Sequence, residues 1–207
     1  VRYVANEGTY KFTQNGKPVY DIQFRVSNND VALRYHLYPQ KNKHCCVINQ
    51  EMTGFTLPDG STTFLCPQSA PMHGFGDSSP SYETSYTVDD ALGKNGWGEG
   101  YTFPCLFRNG DKGWVLISET GVGSKYCSSH LMGGNGNTYS IGFPNPKECN
   151  GNGTSAPGLA LPGNTPWRTI TVGKTLAPIV ETTVPYDVVE QLYEPSQEYK
   201  YGKGSWS

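Results

Sequence analysis

Apolar and polar residues alternate along several stretches of this chain with the two-residue period that is typical of β-strands. The clearest pair of such stretches covers Val19–Val26 and Val31–Leu37. Upstream of them, Tyr10 and Phe12 alternate with polar residues up to Asn15-Gly16, which is the strongest short signal for a hairpin turn. The pattern therefore predicts consecutive antiparallel strands near the start of the chain.

The middle of the chain shows a second hairpin and several shorter strands. Asn109-Gly110 joins Tyr101–Arg108 to Trp114–Ser118, and the second of these strands is almost continuously apolar. Such a strand is typically central and buried on both faces. Further short strands are predicted at 45–49, 52–57, 62–66 and 82–87. Residues 128–166 are rich in glycine with little periodicity outside 139–143, and this predicts a long connection.

The last part of the chain carries a third hairpin signal. Thr165-Pro166 favours an extended backbone, because the residue before a proline is pushed out of the helical region. Residues 169–172 then alternate, and Gly173-Lys174 is predicted to turn the chain into a return strand at 176–180. One short helix is predicted near 187–193.

Composition supports the same fold class and excludes several functions. The 207 residues include 25 Gly and 15 Pro, with 16% charged and 13% aromatic residues, which fits an all-β sandwich better than a helical protein. The formal net charge is −2 and no block of Lys or Arg occurs, so the sequence predicts binding to neither nucleic acid nor an anionic membrane surface. No apolar run is long enough for a membrane span.

The six cysteines leave two interpretations open. None forms a C-x-x-C pair, which disfavours a zinc site. Their even number and wide spacing allow up to three disulfides in an exported protein. The alternative is that they are small buried apolar residues, as free cysteines often are.

Residues with an obvious catalytic pattern are missing from the sequence. It has no nucleophile elbow, P-loop, dinucleotide fingerprint, zinc-protease motif or calcium loop, and its four histidines are widely spaced. Glu119 is the acidic residue with the most notable placement, because it follows a buried strand and precedes Gly121. On placement alone, a residue at the rim that caps a turn is the favoured interpretation. The many aromatic residues suit stacking on sugar rings, so composition suggests a carbohydrate-associated β-sandwich.

Five segments, taken together in their order and spacing, carry a resemblance to a known family. They are Asp21–Tyr35 (DIQFRVSNNDVALRY), Tyr82–Tyr86 (YETSY), Trp114–Gly121 (WVLISETG), Thr165–Glu181 (TPWRTITVGKTLAPIVE) and Gly202–Trp206 (GKGSW). This succession resembles the N-terminal region of glycoside hydrolase family 97. Asp30 departs from the family pattern, which usually has a glycine at that position.

The resemblance implies a fold and a place within a longer enzyme. Residues 1–185 would form an all-β super-sandwich of two antiparallel sheets, of the galactose-mutarotase type, without its first strands. Residues 186–207 would be a linker that enters the first strand of a (β/α)₈ catalytic barrel lying beyond this segment. Trp167 and Arg168 would then serve packing and contacts between domains.

The resemblance also implies an activity. Members of the family are exo-acting α-glycosidases, including α-glucosidases and α-galactosidases, which bacteria export to the periplasm or the medium. Their active site binds Ca²⁺, and the glutamate that the N-terminal domain supplies corresponds here to Glu119. The catalytic acid and the base or nucleophile would lie in the barrel, so this segment would contain no catalytic residue. The partners implied are that barrel and an α-linked oligosaccharide substrate.

Two other classes of function remain as alternatives to this interpretation. One is a stand-alone carbohydrate-binding β-sandwich that uses exposed aromatic residues. The other is a structural or adhesin module of a cell-surface protein.

Overall fold

A computed structural model describes residues 4–69, 84–124, 126–145 and 155–190 of the chain. In these residues the chain forms a succession of β-strands followed by two short helices. The strands are β1 Asn6–Gln14, β2 Lys17–Val26, β3 Asp30–Leu37, β4 Cys45–Val47, β5 Gly54–Thr56, β6 Thr62–Pro67, β7 Asp90–Ala91, β8 Tyr101–Asn109, β9 Gly113–Thr120, β10 His130–Asn135, β11 Thr138–Gly142, β12 Gly158–Ala160, β13 Gly163–Asn164 and β14 Trp167–Gly173. The helices are α1 Ala177–Glu181 and α2 Val184–Asp187.

The strands form two antiparallel sheets, which confirms the predicted all-β class. The large sheet follows the order β1-β2-β3-β14-β9-β8-β10-β11-β5, with β13 beside β3, β6 beside β8 and β7 beside β6. The small sheet pairs β12 with β4. Because β14 lies between β3 and β9, this last strand joins the first three strands of the sheet to the β8–β9 hairpin.

The first hairpin forms as the alternation predicts. Asn15 and Gly16 both have positive φ, 51° and 73°, which the tight turn between β1 and β2 requires. Tyr10 pairs with Ile22, and Ile22 pairs in turn with Tyr35 on β3. The predicted central position of β9 is also confirmed, since it pairs with β8 on one side and β14 on the other.

The main core lies where β8 and β9 meet the strands of the β10–β11 hairpin and β5. It is built from apolar residues that are less than a tenth exposed, and the rings of Phe107 and Tyr139 lie 5.2 Å apart. The members are Phe55, Leu57, Leu65, Tyr101, Cys105, Phe107, Ile117, Leu131, Tyr139 and Ile141. Four of these ten core residues are therefore aromatic.

A second, smaller core covers the opposite face of β14. Trp167 packs there with Ala32, Val184 and Val188, so α2 and the residue after it lie across the sheet. Both faces of β14 are consequently buried near its first residues.

Two predictions for this region need correction. Residues 177–181 form a helix instead of part of the return strand predicted at 176–180, and the helical turns end at Asp187, before most of the predicted 187–193. The reason is that Pro178 and Pro185 each lie in the first turn of a helix, where the fixed φ of proline favours helix and its missing N–H costs nothing. Residues 191–193, like the linker resemblance at 202–206, lie outside the described residues.

The described part of the glycine-rich region 128–166 is also more ordered than its pattern predicts. It contains β10, β11, β12 and β13, although glycine is depleted in strands and weakens their sequence signal. Gly133 shows why glycine is needed here, because the carbonyl of Lys94 occupies the space that a Cβ would fill. In the strand predicted at 82–87, the described residues 84–87 form no strand; instead the Thr87 hydroxyl accepts the Leu65 N–H at 2.7 Å.

The described cysteines favour the apolar interpretation in part. Cys66 and Cys105 are buried free thiols, and burial raises the pKa of the Cys105 thiol. Cys45 is an exposed free thiol, and Cys149 lies outside the described residues. In the part of the chain that the structure describes, no helix is long and apolar enough to cross a membrane.

Buried tyrosines should make the fold sensitive to alkaline pH. Burial raises the pKa of Tyr139 to about 12, and it also raises the pKa values of Tyr101 and Tyr126. Above about pH 10 the unfolded chain releases phenolic protons that the folded state keeps, so the contribution of these tyrosines to stability should be fully present below about pH 10 and be lost from there to about pH 12. Urea midpoints measured from neutral to alkaline pH check this, and Tyr139→Phe should make the decline shallower. A slope identical in the variant would contradict it.

Candidate functional site

Glu119 lies at the end of β9 and points into the molecule. Strand alternation places it on the same face as Ile117, which belongs to the main core. Its side chain is only 7% exposed. The interpretation of Glu119 as a turn-capping residue at the rim is therefore wrong for its side chain.

Arg168 is the partner that allows this carboxylate to be buried. It lies directly opposite Glu119 in the pairing of β14 with β9, and its Nη1 donates to Glu119 Oε2. Its Nε and Nη2 donate to Glu51 Oε1 and Oε2 at 2.9 and 2.6 Å. The side chains of Arg168 and Glu51 are 1% and 4% exposed. We call these three residues the Glu51–Arg168–Glu119 triad.

Two hydroxyl residues complete the hydrogen bonding of the triad. The backbone N–H of Ser129 donates to Glu119 Oε1 at 2.8 Å, and its hydroxyl donates to Oε2 at 2.6 Å while accepting from Arg168 at 2.9 Å. On the other side, the hydroxyl of Thr53 donates to Glu51 Oε1 at 2.8 Å. Each carboxylate is thus held by more than one donor, as buried charges require.

The charges of the triad do not balance. Burial alone lowers the pKa of Arg168, but the hydrogen bonds that it donates to Glu51 and the charges of Glu51 and Glu119 outweigh this effect, so the pKa is raised. The guanidinium is therefore always charged in the folded protein. With both carboxylates ionised, the triad keeps one negative charge beyond what Arg168 neutralises, and this favours a cation nearby.

Glu119 has room for one metal bond. A carboxylate offers about four lone-pair positions, and the three donors named above, in the described residues, occupy two on Oε2 and one on Oε1. One position on Oε1 stays available. Calcium takes about six to eight oxygen ligands, and the described part of the chain has no group of three or more His, Cys, Asp or Glu placed to hold a metal. Glu119 therefore fits a calcium site as a single contributed ligand.

A cavity of about 310 Å³ opens beside Glu51. Its wall is aromatic and aliphatic, and Glu51 is its one charged group among the described residues. The lining residues are Tyr20, Ile22, Tyr35, Leu37, Ile48, Gln50, Glu51, Met52, Tyr126 and Thr165. Such a wall could contact the apolar face of a sugar ring, as the aromatic composition suggested.

The sequence singled out Glu119 but missed the other members of the triad. Glu51 lies in a loop before β5 with no motif around it, and Arg168 was expected to serve packing between domains. The signal for Arg168 was present: it shares the alternating face of Ile170 in a strand where an arginine needs a buried partner. That partner is set by the register of β14 on β9, which the sequence pattern does not specify.

A family model identifies the family of this chain. Residues 1–191 match the family model described as glycosyl-hydrolase 97 N-terminal. A crystal structure of a beta-arabinopyranosidase is 53% identical, with a TM-score of 0.88, and the match covers 96% of this chain and 32% of that protein. No curated protein sequence matched the chain.

More distant structures share the fold. A glycoside hydrolase family 97 enzyme from Pseudoalteromonas sp. strain K8, solved as a variant, is 19% identical with a TM-score of 0.64. A glycoside hydrolase family 97 enzyme from the same strain, solved as a variant in complex with panose, is 18% identical with a TM-score of 0.62. Both matches cover 87% of this chain and 25% of that enzyme. The chain thus spans a third or less of the proteins that it resembles.

Proposed function

Because this chain belongs to glycoside hydrolase family 97, as the N-terminal domain, we propose that it is the non-catalytic part of a longer calcium-dependent glycosidase. It packs against a (β/α)₈ catalytic barrel in the same polypeptide and donates Glu119 to the calcium site. The observation that carries this proposal is the buried triad, which holds Glu119 rigidly, keeps one excess negative charge and leaves one lone pair free. We place the enzyme in the periplasm or the medium, as the family resemblance implies.

The two carboxylates of the triad support a non-catalytic role for this domain. Hydrolysis of a glycoside uses one carboxyl group that gives a proton and a second that acts as nucleophile or base. Glu51 and Glu119, the two that the triad brings together, are both bound to Arg168 and almost fully buried. Neither is free to exchange a proton with a substrate, so the proposal assigns that chemistry to the barrel.

The domain's own contribution would be to orient one metal ligand. Ser129 and Arg168 fix the Glu119 carboxylate through three hydrogen bonds. A bound calcium ion supplies positive charge to the active site and orders the oxygen atoms around it. Glu119 would share that ion with carboxylates of the barrel, so the site would be complete only when the two domains are packed together.

For the substrate, we propose a glycoside with the galactose configuration. The 53% identical neighbour is a beta-arabinopyranosidase, whereas the family resemblance implies α-glycosidases. In chemical terms the two agree, because a β-L-arabinopyranoside is an α-D-galactopyranoside without its C6 hydroxymethyl group. The anomeric bond has the same orientation in both, and only the series name changes.

This substrate proposal predicts a rank order of rates. The complete enzyme should hydrolyse aryl β-L-arabinopyranosides and aryl α-D-galactopyranosides at least about tenfold faster, in kcat/KM, than aryl α-D-glucopyranosides. The reason is that a pocket which hydrogen-bonds an axial 4-hydroxyl rejects its equatorial epimer. Initial rates on the three nitrophenyl glycosides decide this. Preference for the glucoside would overturn the substrate proposal and leave the domain assignment intact.

A second candidate function rests on the cavity beside Glu51. Its aromatic wall suits a sugar ring, and the chain would then act as a carbohydrate-binding module. Calorimetry with galactose, arabinose and α-linked oligosaccharides tests this in a complete enzyme whose active site is blocked by a tight inhibitor. Binding that Tyr35→Ala abolishes would support the module, and absence of binding would count against it.

A further inference from the structure

The way in which Glu51 occupies Arg168 determines how Glu119 can act. The guanidinium donates through Nε and Nη2 to the two oxygens of Glu51, and through Nη1 to Oε2 of Glu119. The two-point contact with Glu51 fixes the plane of the guanidinium and therefore the place where Nη1 meets Glu119. In the observed arrangement Arg168 contacts Oε2 of Glu119 and makes no contact with Oε1.

The single contact with Arg168 leaves Oε1 of Glu119 with the position that a metal needs. Oε1 of Glu119 accepts only the Ser129 N–H among the described residues, and its other lone pair is available. A two-point contact with Arg168 would occupy that lone pair. Glu51 therefore acts by anchoring Arg168 in the position where it contacts Oε2 of Glu119 alone.

Glu51 also sets the charge that a cation would meet. With Glu51 ionised the triad has an excess of one negative charge, and without it the Arg168–Glu119 pair is neutral. Because the side chains are at most 7% exposed, solvent screens this difference only weakly. The position of Arg168 and the charge of Glu51 thus both favour a cation at Oε1 of Glu119.

We propose that Glu51 and Arg168 are positioning residues for the calcium site. They hold Glu119 as a one-point ligand and supply the excess charge, although neither touches the metal. This inference rests on the proposed role of Glu119 and extends it to two residues of the domain interior.

The test is a calorimetric calcium titration of the complete enzyme after removal of bound metal. Glu51→Gln keeps the size of the side chain and removes its charge, and we expect it to weaken calcium affinity about 10- to 100-fold, as loss of groups that orient metal ligands typically does. Arg168→Lys should weaken affinity similarly, because an ammonium cannot span both carboxylates. Matched controls are Glu7→Gln and Arg108→Lys, which alter the exposed Glu7–Arg25 and Asp89–Arg108 pairs and should change affinity less than about twofold.

Circular dichroism and urea midpoints confirm that each variant is folded, and Arg168→Lys decides the question if Glu51→Gln does not fold. Glu119→Gln distinguishes the proposed ligand role of Glu119 from the proposed positioning role of Glu51 and Arg168. Unchanged calcium affinity in Glu119→Gln would overturn the proposed function itself. Loss of binding in Glu119→Gln, with wild-type affinity in the folded positioning variants, would overturn only this inference.

Discussion

Arg168→Met is expected to lower the free energy of unfolding of this domain by about 3–5 kcal/mol. The substitution keeps much of the side-chain volume but removes the charge that two buried carboxylates share. Glu51 and Glu119 would then be left 4% and 7% exposed with no cation between them. A buried carboxylate without a partner must either take up a proton or open the structure to water, and both cost stability.

The measurement is urea unfolding of the complete enzyme, with hydrogen exchange to read the amides of β9 and β14 separately from the barrel. Arg108→Met is the matched control, since the Asp89–Arg108 pair is 39% exposed on both sides and should contribute about 1 kcal/mol or less. Equal losses in the two variants would contradict the account of the triad.

Replacing the whole triad should behave differently from breaking it. Glu51→Met, Arg168→Leu and Glu119→Leu combined leave no buried charge, and buried ion pairs replaced by apolar residues are often neutral or stabilising. We expect this variant to recover most of the stability that Arg168→Met loses. Its calcium affinity should remain lost, which would show that the charges are kept for function.

Glu119→Gln is expected to reduce kcat/KM of the complete enzyme at least about 100-fold at limiting calcium. The amide oxygen is a weaker ligand than a carboxylate, and the substitution also removes the excess negative charge of the triad. Higher calcium concentrations should restore part of the activity, because the defect lies in affinity. Rates on an aryl glycoside measured across a calcium series check this, with Glu7→Gln as the control. Unchanged kinetics, or a loss that calcium does not relieve, would contradict the ligand role.

The hairpins of this fold could be predicted because their signals are local. Asn15-Gly16 supplies the positive φ values that the turn between β1 and β2 needs, and the alternation on β2 and β3 matches the observed pairing. The apolar run of β9 predicted its central position for the same reason. The prediction was wrong at α1, where the apolar residues fit either a strand or a helix. Pro178 lies in the first turn of the helix that forms there.

The site could be predicted only in part, because its partners are distant in sequence. Glu119 is conspicuous at the end of an apolar strand, and the family resemblance gave it a role. Its burial depends on Arg168, which faces it only because β14 inserts between β3 and β9. Glu51 reaches the same arginine from a loop, and no pattern in a single sequence links the three.

The most direct test of the central proposal is the position of the metal in a crystal structure of the complete enzyme with calcium. The account predicts one calcium ion about 2.3–2.6 Å from Oε1 of Glu119, with its remaining protein ligands on the barrel and Arg168 still bound to Oε2. A calcium ion held entirely by the barrel, with the Glu119 carboxylate enclosed in the triad and out of reach of the metal, would contradict it.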